Sequence, residues 1–437
     1  MTILKKSQYL NFFFLFIAVA FVLLKGTTGG DFDVFLDASR RLYNHENIYS
    51  SFSSGGFQWY YSPFFALILI PFCNTLIFSE ELWSLLSLLL MYRSFTLIEL
   101  FFDFSYFSTK QKKLWVWLCV IFSVQFVLNN ITLIQITALL LWGILESLHQ
   151  NDKGKPFLAG VILGFVSIIK LMPLLMLPYL FYRGHFKMLG YTILTFLALL
   201  ILPGVFFGFD YNFFLIQNWI LLINPNNSEL VIAEVLGFHD LTSMFSVYLM
   251  PTNGELPYKQ NFVSWSFSTV NTLVNVARIA LLALSLYFFQ SKPFVQENNK
   301  LKSFWEIAYF SFIIPLIMPH QNKYGFLLCC PLVCYLLYFY VVTFKKVNSL
   351  GYKIVFVIFV ISMIVYSPFN GSDILGWHSY RVGQHFRILS FATLLLIPVA
   401  MYCSPKRFYN LISVNVTQTI SIPVFNIPSK KGFSFFK

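Results

Sequence analysis

Apolar positions in this chain come in long unbroken runs, separated by short polar or basic stretches. Several runs approach or exceed the roughly 18 to 20 residues that a helix needs to cross hydrocarbon. They are continuous in Leu, Ile, Val and Phe, whereas a membrane barrel would show short alternating segments, so the pattern predicts helices. The first run lies in "MTILKKSQYLNFFFLFIAVAFVLLKGTTGG", which has the charged start and apolar centre of a signal peptide. It is long for that purpose and ends without a small-x-small cleavage site, so it reads as an uncleaved first span.

Cytoplasmic loops collect Lys and Arg, and this orients the remaining runs. Lys5 and Lys6 hold the start inside, and further basic clusters occur at Lys110, Lys112 and Lys113, at Lys153 and Lys155, and at Arg183 and Lys187. More follow at Lys292, Lys300 and Lys302, at Lys345, Lys346 and Lys353, and from Lys406 onward. The runs between clusters then pair: 114–128 with 131–148 around a tip at Asn129 and Asn130, and 157–169 with 171–182. Run 188–206 pairs with 268–290 across a long external loop, 304–318 with 324–343, and 352–369 with 386–403. Run 62–78 would reverse the orientation and is read as an external juxtamembrane or re-entrant helix. The expected fold is an all-α polytopic membrane protein of about twelve transmembrane helices, with both termini cytoplasmic. Residues 1–403 form the membrane domain, loops 25–81 and 207–267 its active-site face, and 404–437 a short cytoplasmic tail.

Composition agrees: 57% of residues are hydrophobic and only 11% charged, against about a quarter charged in soluble proteins. The net charge of +12 resides mostly in the cytoplasmic loops, so it reports topology and implies no nucleic-acid partner. Basic loops of this kind also meet anionic membrane lipid. The six cysteines lie in or beside apolar runs without metal-ligand spacing and read as reduced packing residues.

Carboxylates concentrate on the external side. "GGDFDVFLDASRRLYNHENIYS", directly after the first run, holds Asp31, Asp33, Asp37 and Glu46. Its pattern "DFDVFLDASRRLYNHENIY" followed by "WYYSPFFALILIPF" resembles the opening of glycosyltransferase family 87, polyprenyl-phosphate-mannose-dependent mannosyltransferases with the GT-C membrane fold. "LAGVILGFVSIIKLMPLLMLPYLFYRGHFK" is similar to that family's Gly-rich span with a Lys before a Pro. "NPNNSE" is similar to its Asn-Gln-Ser loop, and "MPHQNKYGFLL" to its Pro-then-His hairpin. The resemblance runs from about residue 8 to about residue 400. Where the family often has Gly-Gln-x-Asn, this chain reads Asn129-Asn130-Ile131-Thr132.

The resemblance implies transfer of a hexose, mannose by the family's habit, from a polyprenyl phosphate to a glycan or glycolipid acceptor outside the cytoplasmic membrane. It implies no cofactor, and no metal is expected. Such a donor is already activated, and the reaction lacks only a base within about 3 Å of the acceptor hydroxyl. One displacement inverts the anomeric centre and needs one carboxylate, unlike the paired carboxylates of hydrolases. By resemblance Asp31 is that base; Asp33 is the alternative, and either can instead cap a helix. His320 can contact the donor phosphate or orient the base, or be an interfacial His bonded to backbone.

Lys170 interrupts an apolar run, a costly position that points to function or a partner, such as a lipid phosphate. Lys323 can meet phosphate as a point charge or simply snorkel. Asn227 and Ser228 can bind sugar hydroxyls or form an ordinary turn. Trp59, Tyr60 and Tyr61 read as an interfacial belt or a sugar platform. Arg381, in the last external hairpin, is a further phosphate candidate beside His378 and His385. Arg93 and Arg278 lie within spans and keep a rival reading open, a transporter or flippase of lipid-linked sugars; a surface-glycan polymerase or ligase is another.

Overall fold

The structure, a computed structural model, describes residues 31–50, 58–74, 79–224, 236–251, 255–289, 292–295, 299–344, 347 and 349–419. The first run therefore lies outside the described residues, as do Asn227 and Ser228. The helices are α1 Asp31–Tyr43, α2 Pro63–Asn74, α3 Ser79–Glu99, α4 Thr109–Thr132, α5 Thr137–Asp152 and α6 Pro156–Ile169. Next come α7 Leu177–Tyr182, α8 Phe186–Phe207, α9 Phe209–Ile223, α10 Leu241–Leu249, α11 Phe267–Phe288 and α12 Lys300–Ile317. The chain closes with α13 Cys330–Thr343, α14 Leu350–Tyr366, α15 Ser372–Leu375, α16 Trp377–His385, α17 Ile388–Tyr402 and α18 Pro405–Thr419.

Polar residues at the helix starts explain where many begin. Ser108 and Gln111 form a reciprocal capping box at α4, and Asp240, Ser266, Asn299 and Ser349 cap α10, α11, α12 and α14. Such caps satisfy amides that have no partner within the helix.

The centre of the bundle is α12 with the segment Lys323–Thr343. Residues 304–317 are all buried, and so is 94% of the latter segment's apolar window. Helices apolar on every side belong in an interior. On the outside, α8 exposes Leu194, Val205 and Phe206, as a lipid-facing helix does. Helices α6 and α8 approach closely through Gly160 and Gly164. A Cβ on Gly160 would sit 2.4 Å from Tyr191 Cβ, and one on Gly164 2.7 Å from Thr195 Cβ. Small residues four apart let membrane helices pack backbone to backbone.

Among the described residues five helices are long and apolar enough to cross a membrane, or six if the bent pair 377–385 and 388–402 is one span. Shorter apolar helices cover 63–73, 156–169, 172–182 and 350–366. The chain is an all-helical membrane protein, and among the described residues several apolar runs form broken or short helices. The described part of the run 62–78 is the short helix α2, packed against α1 and α8.

Other expectations need correction. The 129–130 tip is not a tip: α4 continues to Thr132, the turn follows it, and Asn130 is fully buried. The loop 207–267 contains α9 and α10. Arg183, expected in a basic loop cluster, is buried instead: it is 1% exposed and pairs with fully buried Glu306 through both guanidinium edges, Nε to Oε2 at 2.8 Å. Arg93 has a partner after all, donating to Glu146 at 2.9 and 3.3 Å. Arg278 donates to the Ile317 carbonyl (2.9 Å), Asn275 and Thr242. Both arginines thus tie helices together, which removes two of the features that favoured transport. The six cysteines are free thiols. The tail begins as α18, seated by buried Phe408 against Tyr338 and Phe339.

Candidate active site

Helix α1 follows a clear rule of burial. Phe32, Phe35, Ala38 and Leu42 are buried, while Asp33, Arg40 and Tyr43 are exposed. In helical register position 31 falls with Phe35, Ala38 and Leu42, four, seven and eleven residues on. The Asp31 side chain itself is outside the description. Asp33 points to solvent and lies within electrostatic reach of Glu80 at the start of α3. Asp37 pairs with Arg41 at 3.0 Å, one turn on, and exposed Glu46 lends its carbonyl to the Tyr211 hydroxyl.

The Phe35 ring packs edge-on against Trp59, Tyr61 and Phe65, with centroids 5.9, 5.2 and 5.3 Å away. Trp59 is 2% and Tyr61 7% exposed. These aromatics are therefore not an interfacial belt; they are the wall on which α1 rests. The backbone of this wall is pinned as well. The Tyr61 carbonyl accepts from Tyr49 Oη (2.8 Å) and the Tyr60 carbonyl from Trp219 Nε1 (3.2 Å).

Three distant segments meet at this wall. Helix α6 ends at Ile169 because Pro173 supplies no amide and crowds the preceding turn. Lys170 then turns extended and closes the helix with its amide on the Val166 carbonyl. Its ammonium stands 5.4 Å from the Tyr61 ring and 5.9 Å from the Tyr324 ring, cation–π distances on both sides. The third segment is the tip after α12. The His320 ring meets Tyr60 edge-on at 4.9 Å and stacks on Phe238 at 5.3 Å. His320 has φ +57°, a left-handed backbone that a non-glycine residue adopts at some cost and that often marks a functional turn.

The groups that hold the tip include two that the sequence did not single out, His239 and Asp240. The His239 amide donates to the Gln321 carbonyl (2.8 Å), and the Gln321 amide donates to Asp240 Oδ2 (3.2 Å). Phe238 and Asn322 form an antiparallel bridge. Asn130 Nδ2 donates to the Tyr324 carbonyl at 3.0 Å. Asp240 is 1% exposed and caps α10 with its other oxygen. The available signal was "GFHDL" before an apolar helix, an N-cap signature.

Lys323 has a different aromatic neighbour, the Tyr380 ring at 5.2 Å. Arg381 is not gathered with these lysines by any described contact; it pairs with Glu255 at 2.9 Å. His378 is near the Tyr258 hydroxyl, and buried His385 sets Nε2 2.9 Å from the Tyr258 carbonyl. Among the described residues no cluster of three or more His, Cys, Asp or Glu could hold a metal ion.

The model of glycosyltransferase family 87 matches residues 59–298. The chain belongs to glycosyltransferase family 87. It is a membrane glycosyltransferase, using a sugar donor and an acceptor. The matched region contains the aromatic wall, Lys170 and Asp240. No curated protein and no solved structure matches the chain.

Proposed function

We propose that this family 87 glycosyltransferase transfers mannose from a polyprenyl phosphate to an acceptor hydroxyl, with inversion, on the external face of the cytoplasmic membrane. Asp31 is the general base: it removes the acceptor proton as that oxygen attacks the anomeric carbon, and the lipid phosphate leaves with the bonding electrons. Lys170 receives the donor phosphate, flanked by Tyr61 and Tyr324, and His320 orients the base or the phosphate. No metal is needed, because the leaving group is already an anion of low basicity. The acceptor is a glycan or glycolipid, and Asn227, Ser228 and Arg381 are further candidates for holding either substrate.

The observation that carries this reading is the meeting of Tyr60 with His320 beside Lys170. It joins the segment after α1, the break after α6 and the tip after α12. Position 31 opens α1 on the side of Phe35, which abuts the same wall. Exposed Asp33 lies on a different side.

Membranes carrying the wild type, Asp31→Asn or Asp33→Asn would be given radiolabelled polyprenyl-phosphate mannose. Transfer should fall by about 10²-fold or more in Asp31→Asn and persist in Asp33→Asn, at equal protein levels. Undiminished transfer by Asp31→Asn removes that residue from the role. Movement of labelled lipid without bond formation would instead support the transporter reading.

A further inference from the structure

Next to the histidine tip the fold holds a second polar space, whose lining includes none of Lys170, Tyr60, Tyr61 and His320. Gln125, His239, Lys323, Asn370, Tyr380 and Gln384 line it. They come from α4, the loop before α10, the tip, and the last external hairpin. The cavity volume is about 10 Å³. That admits one small polar group, not a sugar ring.

The lining has specific needs. Lys323 is 9% exposed; Asp373 acts on its ammonium electrostatically, but among the described residues no carboxylate oxygen lies within salt-bridge distance of it. The ammonium stands over the face of Tyr380, 5.2 Å from the ring centroid. His239 is 3% and Gln125 7% exposed, and His239 Nδ1 and Gln125 Oε1 have no hydrogen-bond partner among the described residues. Burial, together with Arg387 and Lys323, holds His239 well below its usual range, so its ring is neutral. A single water would satisfy the two orphaned atoms but not the buried ammonium, which calls for an anion. An oxyanion with an adjacent hydroxyl or protonated oxygen meets all three needs.

We infer that this pocket binds an anionic group, a phosphoryl edge or a carboxylate, carried by the acceptor. The inference rests on the proposed function in one respect: with the donor phosphate at Lys170, the acceptor is the substrate left to bring a second anion. The enzyme then selects acceptors by charge as well as by hydroxyl, and Lys323 determines specificity.

The test uses the full-length protein purified in detergent, with thermal unfolding as the readout for four probes. Dioctanoyl phosphatidate, inorganic phosphate and glucuronate test the pocket, and citronellyl phosphate mimics the donor. Dioctanoylglycerol serves as the uncharged control. At least one of the first three should raise the midpoint, and should still do so at saturating citronellyl phosphate. Lys323→Gln should weaken that effect at least tenfold, Lys323→Arg should largely keep it, and Lys170→Gln should leave it intact. If Lys323→Gln does not fold, Gln125→Leu should produce the same weakening.

An effect of phosphatidate alone indicates a lipid-borne anion, and equal effects of phosphatidate and inorganic phosphate a free one. Either supports the pocket. If citronellyl phosphate does not bind while the Lys323-dependent effect persists, the donor reading fails and the pocket stands. Competition between phosphatidate and citronellyl phosphate, both lost in Lys323→Gln, would give the pocket to the donor and overturn the inference. So would the absence of any effect, or an effect indifferent to Lys323.

Discussion

Removing one half of the Arg183–Glu306 pair is the sharpest available perturbation of this fold. The two residues are 1% and 0% exposed, and the pair is made through both edges of the guanidinium. Glu306→Leu leaves a buried guanidinium without its carboxylate, although it still donates to the Val295 carbonyl at 3.4 Å. Stranding one charge of a buried pair costs about 3–5 kcal/mol, whereas replacing both with well-packed apolar residues is often neutral. Glu306→Leu and Arg183→Met should therefore each destabilise by about that amount, and the double variant by much less than their sum. Denaturant unfolding in micelles, followed by tryptophan fluorescence, measures all three.

The pair also bears on function, because Arg183 anchors the far end of the short helical stretch that begins just after Lys170. Loosening it should raise the KM for the donor more than it lowers kcat. Single variants costing less than about 1 kcal/mol, the range of exposed pairs, would refute the reasoning. So would strictly additive losses.

Three further outcomes follow from the same geometry. Lys170→Gln should lower kcat/KM for the lipid-phosphate donor at least about tenfold, since a charge-assisted contact to phosphate is worth about 1.5–3 kcal/mol; initial rates over a range of donor concentrations decide it. Gly164→Leu should cost at least about 1–3 kcal/mol by forcing Thr195 away (2.7 Å to the new Cβ), while Gly190→Ala, with nothing within 4 Å, should be harmless; yields of monodisperse protein and melting midpoints compare them. His239, neutral in the fold and held well below 6.5, makes the unfolded chain the better proton acceptor. Its contribution is intact above pH 6.5 and is lost progressively as pH falls from there toward the depressed folded value, so His239→Gln should flatten the acid limb of a stability–pH curve.

The sequence by itself determined that this is a helical membrane protein, because continuous apolar runs have only one economical way to satisfy their backbone in lipid. It also determined the family resemblance, since "WYYSPFF" and "IIKLMP" keep their character in one dimension, and Pro173 alone explains why α6 stops before Lys170. What it left open was every partnership across the bundle. Arg93 and Glu146 are 53 residues apart and Arg183 and Glu306 123 apart, so neither pair leaves a local signal, and Arg183 counted as a surface cation until packing buried it. Trp59 and Tyr61 carry the composition of an interfacial belt, but contact with Phe35 turns them inward. Only the tertiary structure sets His320 against Tyr60, and gives Lys170 the rings of Tyr61 and Tyr324 but Lys323 that of Tyr380. The reason is general: solvent preference is written in each residue, whereas contact depends on which helices pack together.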